Sequence, residues 1–294
     1  MGTVRRSLKA AGYAAALAGL LGGPLAGSTT ASSAPTYSRY VALGDSFTAG
    51  PLIPSVDTAA GCVRSTNNYP AQVAERLAVE TFVDVSCSNA DTSNMATFQQ
   101  TFLGHTPAQF EALTPETDLV SVGIGGNDFG LFAELTGFCP TLRDQDPAGA
   151  PCREHFDRAS GNQLEQRVER TKRRLVHVVR GIRMRSPDAR VLVVGYPQIA
   201  PAAGSCPQRL PLADGDYRYA VTLEQQLNAA LRLAAHVNQV DWVDTYGPSE
   251  GHDICSDHPW VNGSRIDTRS AMRYHPFRAG MDAVADEIES ALTR

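Results

Sequence analysis

Three residues far apart in this 294-residue chain have the types and local settings that acyl transfer uses: Ser46, Asn127 and His275. Ser46 stands in Gly44-Asp45-Ser46-Phe47-Thr48, directly after the apolar run Tyr40-Val41-Ala42-Leu43. A strand that breaks into a turn at a small hydroxyl residue lifts the Oγ from the sheet edge and leaves backbone N–H groups facing the same space, as a nucleophile and its oxyanion require. A second apolar run, 119–124, ends in Gly125-Gly126-Asn127-Asp128, where glycines permit a tight turn that delivers an amide. An amide N–H is matched to a transient O⁻, whereas a charged donor would also hold the anionic product. His275 lies in Arg273-Tyr274-His275-Pro276, just before the last amphipathic stretch. The proline suits the first turn of a helix, so the ring is expected at a loop-to-helix junction. There it could take the Ser46 proton and return it to the leaving alcohol.

Other residues compete for these roles. Gly247-Pro248-Ser249-Glu250-Gly251 matches Gly-x-Ser-x-Gly, but a nucleophile elbow needs a helix directly after the serine, and the chain here continues as a loop. His258-Pro259, with Asp257 beside it, is the rival to His275, but it sits in a Gly/Asp/Cys-rich stretch. Gly123-x-Gly125-x-x-Asp128 lacks the third glycine of a dinucleotide turn. The segment 164–185 carries Arg167, Arg170, Lys172, Arg173, Arg174, Arg180, Arg183 and Arg185, while Leu164, Val168, Leu175, Val178, Val179 and Ile182 keep helical spacing. Its basic face is expected to be solvated rather than an anion site.

Positioning these residues needs elements, and apolar, β-rich runs recur at 40–43, 81–85, 119–124, 191–194 and 240–243. Several are apolar on both faces, as in a covered parallel sheet. Helical patterns fall between them at 69–79, briefly at 108–113, at 164–185, at 217–236 and at 277–292. The alternation predicts an α/β fold, a three-layer αβα sandwich with a five-stranded parallel sheet and its ligand site at the carboxyl ends of the strands. Residues 129–162, with many Gly, Pro and Asp and two cysteines, read as a long stapled loop walling one side of the site.

Arg5, Arg6 and Lys9, an apolar Ala/Leu/Gly stretch and small residues 28–34 follow the order of a secretory signal peptide, so 1–34 is set apart from a single large α/β domain at 35–294. Removing those three cations takes the formal charge from −5 to −8, which argues against a nucleic-acid partner. Six cysteines, Cys62, Cys87, Cys139, Cys152, Cys206 and Cys255, read as three disulfides in an exported chain. Sequence leaves the connectivity open; sequential pairing is expected because each such pair brackets one connection. No Cys-x-x-Cys occurs, which argues against a zinc site.

With Gly44-Asp45-Ser46, Gly125-x-Asn127-Asp128 and His275-Pro276 in this order, the mature chain resembles the SGNH (GDSL) hydrolases, above all secreted actinobacterial lipases and esterases. The resemblance implies a flavodoxin-like sandwich, sequential disulfides, and ester hydrolysis through an acyl-enzyme by a secreted protein without metal or cofactor. It makes Ser46 nucleophile and backbone oxyanion donor, Asn127 a side-chain donor and His275 the base. The family's second block is similar to Cys87-Ser88-Asn89-Ala90-Asp91-Thr92, with Asn89 where a glycine N–H is usual; Asn tolerates left-handed backbone. Three residues before the histidine, where the family has an acid, stands Met272. Its backbone carbonyl is the expected orienting group, with Asp267 or Asp257 as alternatives. The resulting dyad is expected to work best at neutral to alkaline pH and to titrate between about pH 5 and 8. The expected partner is a small-molecule or lipid ester met by a monomer in transient contact with a lipid interface, with Phe47, Leu52, Phe129, Leu131 and Trp260 as candidate acyl contacts. The alternatives are a carbohydrate O-acetyl esterase or a non-catalytic secreted binding protein.

Overall fold

The computed structural model describes residues 2–3, 36–158 and 161–294; nearly all of the expected signal segment lies outside them. Five strands form one sheet: β1 (Arg39–Gly44), β2 (Thr81–Asp84), β3 (Leu119–Gly123), β4 (Arg190–Val194) and β5 (Asp241–Val243), in the order β2-β1-β3-β4-β5. Every neighbouring pair is parallel. Residues on β1, β3 and β4 are buried almost throughout, which is why both faces of these strands are apolar in sequence.

The four long helices are α1 (Tyr69–Arg76), α2 (Gln163–Arg185), α3 (Asp216–Asn238) and α4 (Arg278–Leu292). Strand alternation divides the core between two faces. Val41, Leu43, Val122 and Val193 point to the side covered by α2 and α3, which bring Leu164, Leu175, Leu223 and Leu231. Tyr40, Ala42, Leu192 and Val194 meet Tyr69 and Val73 of α1 and Met281, Ala285 and Ile288 of α4. The result is three layers, α/β/α, with the sheet as the middle one. Helix α1 opens on Asn68, whose side chain accepts from Ala71 N at 3.1 Å, and α2 on Asn162, which accepts from Glu165 N at 3.2 Å. Each cap satisfies a backbone donor that the first turn leaves open.

The disulfides join Cys62 with Cys87, Cys139 with Cys152 and Cys206 with Cys255. Two local expectations need correction. The 108–113 helix is a single 3₁₀ turn, Gln109–Ala112. The stretch expected to be a loop is mostly helical, a chain of short turns from Asp128–Gly130 to Pro151–Asp157. Gly130, Gly137, Pro140, Pro147 and Gly149 interrupt it too often for a helical period to show, yet Pro140 and Pro151 each open a turn in a position that tolerates the missing N–H.

Gly44 closes β1 where no side chain fits: an added Cβ would lie 2.2 Å from Thr48 Oγ1 and 2.7 Å from Gly123 O. Thr48 cannot step aside freely, because Oγ1 bonds Gly123 O and Tyr69 OH at 3.2 and 3.1 Å. Gly44→Ala is therefore expected to destabilise the protein by about 1–3 kcal/mol, read as a lower midpoint in urea unfolding; a wild-type midpoint would refute this packing.

Candidate active site

The strand order places β1 between β2 and β3, so the turns leaving those flanking strands approach the end of β1 from both sides. Beyond Gly44 the chain enters one helical turn, Ser46–Ala49, which stops at left-handed Gly50, φ 65°. Asp45 caps the turn, its Oδ1 accepting from Phe47 N at 2.9 Å. Gln109 brackets the strand end: Gly44 N donates to Oε1 at 2.8 Å and Nε2 donates to Gly44 O at 2.9 Å. Ser46 is thereby held as the first residue of the turn, where the backbone N–H has no helical partner.

Asn127 comes from the turn after β3, and its Nδ2 donates to Ala90 O at 2.9 Å. One N–H of the amide fixes the side chain, and the other remains for a ligand. Asn89 adopts φ 64°, the left-handed backbone that its type tolerates. Its turn is closed by Ala90 N donating to Cys87 O at 3.1 Å. Buried Asp128 ties the two blocks together by accepting from Thr92 N at 2.9 Å and Thr92 Oγ1 at 2.6 Å. Burial raises the Asp128 pKa, opposed by these bonds and by Arg174, whose Nη1 lies 3.4 Å away.

Sequence reasoning missed a second link, between the Ser46 turn and the Asn127 turn. Tyr196 OH donates to Asp45 Oδ2 at 2.5 Å and accepts from Gly126 N at 2.9 Å. Burial pushes the Asp45 carboxyl up to about 7, against the Tyr196 and Phe47 bonds that favour its charge. Asp45 and Asp128 stood inside the motifs already read, and Tyr196 follows β4 at the carboxyl edge of the sheet, so position alone could have marked them. Gln109 left no comparable trace.

His275 is buried, and its ring packs on Phe47 at 5.4 Å and edge-on to Phe132 at 5.5 Å between centroids. The orienting carbonyl is that of Arg273, 2.7 Å from Nδ1, and not that of Met272. Met272 O is taken up by the turn itself, accepting from His275 N at 3.2 Å and Asn262 Nδ2 at 3.3 Å, while left-handed Tyr274, φ 60°, turns the preceding carbonyl toward the ring. An Nδ1–H bonded to a carbonyl leaves Nε2 as the basic atom. Among the described residues Ser46 Oγ and the ring share no hydrogen bond; a catalytic bond of this kind often tightens only around substrate. Asp267 is exposed and binds Arg269 N and Ser270 Oγ in its own loop, and Asp257 is exposed, so neither supplies the expected acid. Pro276 precedes α4 rather than opening it: Phe277 is the cap.

Ser46, Phe47, Asp45, Gly126 and Asn127 line the polar end of a cleft that encloses about 700 Å³ including its open mouth. Its walls are apolar: Leu131, Phe132 and Leu135 from the helical turns after β3, Leu210 and Leu212, and Ala220, Leu223 and Leu227 of α3. Glu224 also lines it, with its oxygens accepting from Ile199 N and Ala200 N at 3.3 and 3.0 Å, and burial pushes its pKa up to about 8. Of the candidate acyl contacts, Phe47 and Leu131 line the cleft, whereas Leu52, Phe129 and Trp260 do not. Phe129 lies under the guanidinium groups of Arg170 and Arg174, 3.8 and 4.1 Å from its centroid, and Trp260 stacks on His252. Part of the basic face of α2 therefore has structural work: Arg170 and Arg174 cover Phe129, and Arg167 Nη1 donates to Phe129 O at 2.9 Å, holding the turn after Asn127 at its strained residue, φ 54°. Ser249 is buried and consumed, accepting from Gln198 N and donating to Tyr246 O, both at 2.8 Å.

A five-stranded parallel sheet of this order between two helical layers, with a serine-bearing turn and an amide-bearing turn opening on one apolar cleft, fits the three-layer α/β/α hydrolases. Residues 42–283 match the GDSL-like Lipase/Acylhydrolase family, and the chain belongs to it. It is 38 % identical to Lipase 2 of Streptomyces coelicolor over 234 residues, 77 % of each chain. It is 31 % identical to a lipase of Streptomyces rimosus over 272 residues, 87 % of this chain and 88 % of that one. The solved structure of phospholipase A1 from Streptomyces albidoflavus NA297 superposes with a TM-score of 0.73 at 28 % identity, covering 87 % of this chain and all of that one.

Tyr196→Phe removes the hydroxyl shared by Asp45 and Gly126. It is expected to cost about 1–3 kcal/mol in stability and, if the two turns separate by about 1 Å, up to about 100-fold in kcat with little change in KM. Urea unfolding and hydrolysis of a soluble nitrophenyl ester measure both; an unchanged kcat would show that the link is not needed to align the site.

Proposed function

We propose that the protein is a secreted carboxylic-ester hydrolase of the lipase/esterase type, with Ser46 as nucleophile and His275 as its base. The observation that carries this reading is that Ser46 and Asn127 open on one apolar cleft while the ring of His275, anchored through Nδ1, packs against Phe47 beside the serine. In this reading Ser46 Oγ attacks the ester carbonyl as Nε2 of His275 takes the proton. The tetrahedral O⁻ receives hydrogen bonds from the backbone N–H groups of Ser46 and Asn89 and from Asn127 Nδ2. The imidazolium returns its proton to the leaving alcohol, and water attacks the acyl-enzyme by the same route in reverse. The long apolar wall supports an acyl chain over an acetyl group, which would leave most of it empty.

Export is part of the same proposal. Residues 1–34 have the order of a signal peptide, the folded part holds three disulfides, and a similar solved structure is described as an extracellular lipase, from Streptomyces rimosus, with a TM-score of 0.70 at 28 % identity over 86 % of this chain and 99 % of that one. The proposed active species is a monomer.

The central test is hydrolysis of nitrophenyl esters from acetate to palmitate. Ser46→Ala is expected to abolish turnover, Asn127→Ala to lower kcat by about 10²–10³, and medium or long acyl chains to exceed acetate in kcat/KM. Retained turnover in Ser46→Ala would remove the proposal.

The pH profile gives a second test, and burial changes what the sequence led one to expect. Desolvation lowers the His275 pKa to about 4, outweighing the Arg273 carbonyl that favours the charged ring. The neutral ring is the base, so a lowered pKa keeps it competent in more acidic solution. Thus kcat/KM is expected to hold level from about pH 8 to 5 and to fall as pH drops through about 4, with circular dichroism confirming that the fold persists. An inflection near about 6.5 would mean a solvated ring.

A further inference from the structure

Three large apolar side chains in one short hairpin face solvent: Phe98 is 63 %, Phe102 72 % and Leu103 60 % exposed. The hairpin pairs Gln99–Thr101 with Gly104–Thr106, and Phe102 and Leu103 form its turn. Phe98 packs edge-on against His105 at 6.0 Å between centroids. The ribbon is held at both ends, with Gln99 Nε2 donating to Ser88 O at its base and Thr101 Oγ1, beside the turn, donating to Ala60 O, both at 2.7 Å. Ser88 immediately precedes Asn89, and Ala90 receives the Asn127 amide, so the hairpin adjoins the oxyanion side of the cleft.

Composition sets this stretch apart. Residues 92–110 contain no Asp, Glu, Lys or Arg, in a chain of formal charge −5. A cluster of exposed apolar side chains on a soluble protein marks a place where something docks. A second protein chain needs roughly 800 Å² on each partner for a stable interface, which the three side chains of a narrow tip cannot supply. A lipid–water interface needs only apolar groups that pass between the headgroups, with no charge to desolvate.

We propose that the hairpin 98–106 is an interfacial anchor that seats the protein on aggregated zwitterionic lipid, with Phe98, Phe102 and Leu103 entering the acyl boundary and the 87–90 turn held next to the surface. The inference rests on the ester-hydrolase reading and names the physical form in which the substrate is met. The anchor contributes no group to the chemistry; it raises the local concentration of ester at the cleft.

The test uses flotation of the mature chain with phosphatidylcholine vesicles, in a Ser46→Ala background so that no hydrolysis occurs. The triple substitution Phe98→Ser, Phe102→Ser, Leu103→Ser is expected to weaken partitioning by about tenfold or more. With Ser46 intact, the same triple variant is expected to keep wild-type kcat/KM on soluble nitrophenyl acetate and to lose about tenfold on an emulsified long-chain ester. Unchanged partitioning, or equal losses on both esters, would overturn the anchor. So would sedimentation showing a lipid-free dimer that the variant dissociates, since the tip would then serve a second copy. If the wild type hydrolyses no ester, the functional reading fails, while flotation still reports on the anchor by itself.

Discussion

The Asp45 carboxyl is the point on which the candidate site depends, because it links the two turns that open on one cleft. One oxygen caps the Ser46 turn through Phe47 N, and the other meets Tyr196, whose hydroxyl also takes the Gly126 N–H. The Asn127 turn is then fixed from its other side by Asp128 and Thr92. Three backbone segments from three strands are thus registered to each other by two buried acids. Both acids are held where burial opposes their charge, so their hydrogen bonds are what make the arrangement tolerable.

Magnitudes separate what keeps the molecule folded from what keeps the site in shape. Each such hydrogen bond is worth about 1–3 kcal/mol when its removal strands a buried partner, similar to one buried aliphatic side chain at about 1.5–3 kcal/mol. The sandwich has dozens of the latter, divided between the two faces of the sheet, and so tolerates the loss of one link. The alignment of Ser46 with Asn127 has far fewer supports. The same economy governs the histidine: a buried ring anchored by a neutral carbonyl stays uncharged without a carboxylate.

Much of this was legible in the sequence because the relevant signals are local. Strands buried on both faces leave unbroken apolar runs, and the residues that follow those runs, Ser46 and Asn127, fall at the carboxyl edge of the sheet by topology alone. What could not be read depends on distance or on single dihedral angles. Gln109 reaches Gly44 across 65 positions, and no periodicity records such a pairing. Whether Met272 or Arg273 meets the imidazole is decided by Tyr274 adopting left-handed backbone, which its residue type does not announce. The basic face of α2 reads as solvated, but three of its arginines serve a phenylalanine turn on a neighbouring segment.

The apolar wall contributed by Leu131, Phe132 and Leu135 belongs to a chain of short helical turns pinned by Cys139–Cys152, outside the sheet and its long helices. Leu131, Leu142 and Phe156 of that insert are buried in the same core cluster as Val41 and Leu43 of β1, with Phe132, Leu135 and Phe138 packed against it, so the wall is continuous with the scaffold. A change in the volume of that wall is therefore felt by β1 and β3 themselves, and the width of the cleft cannot be altered apart from the seating of the sheet beneath it.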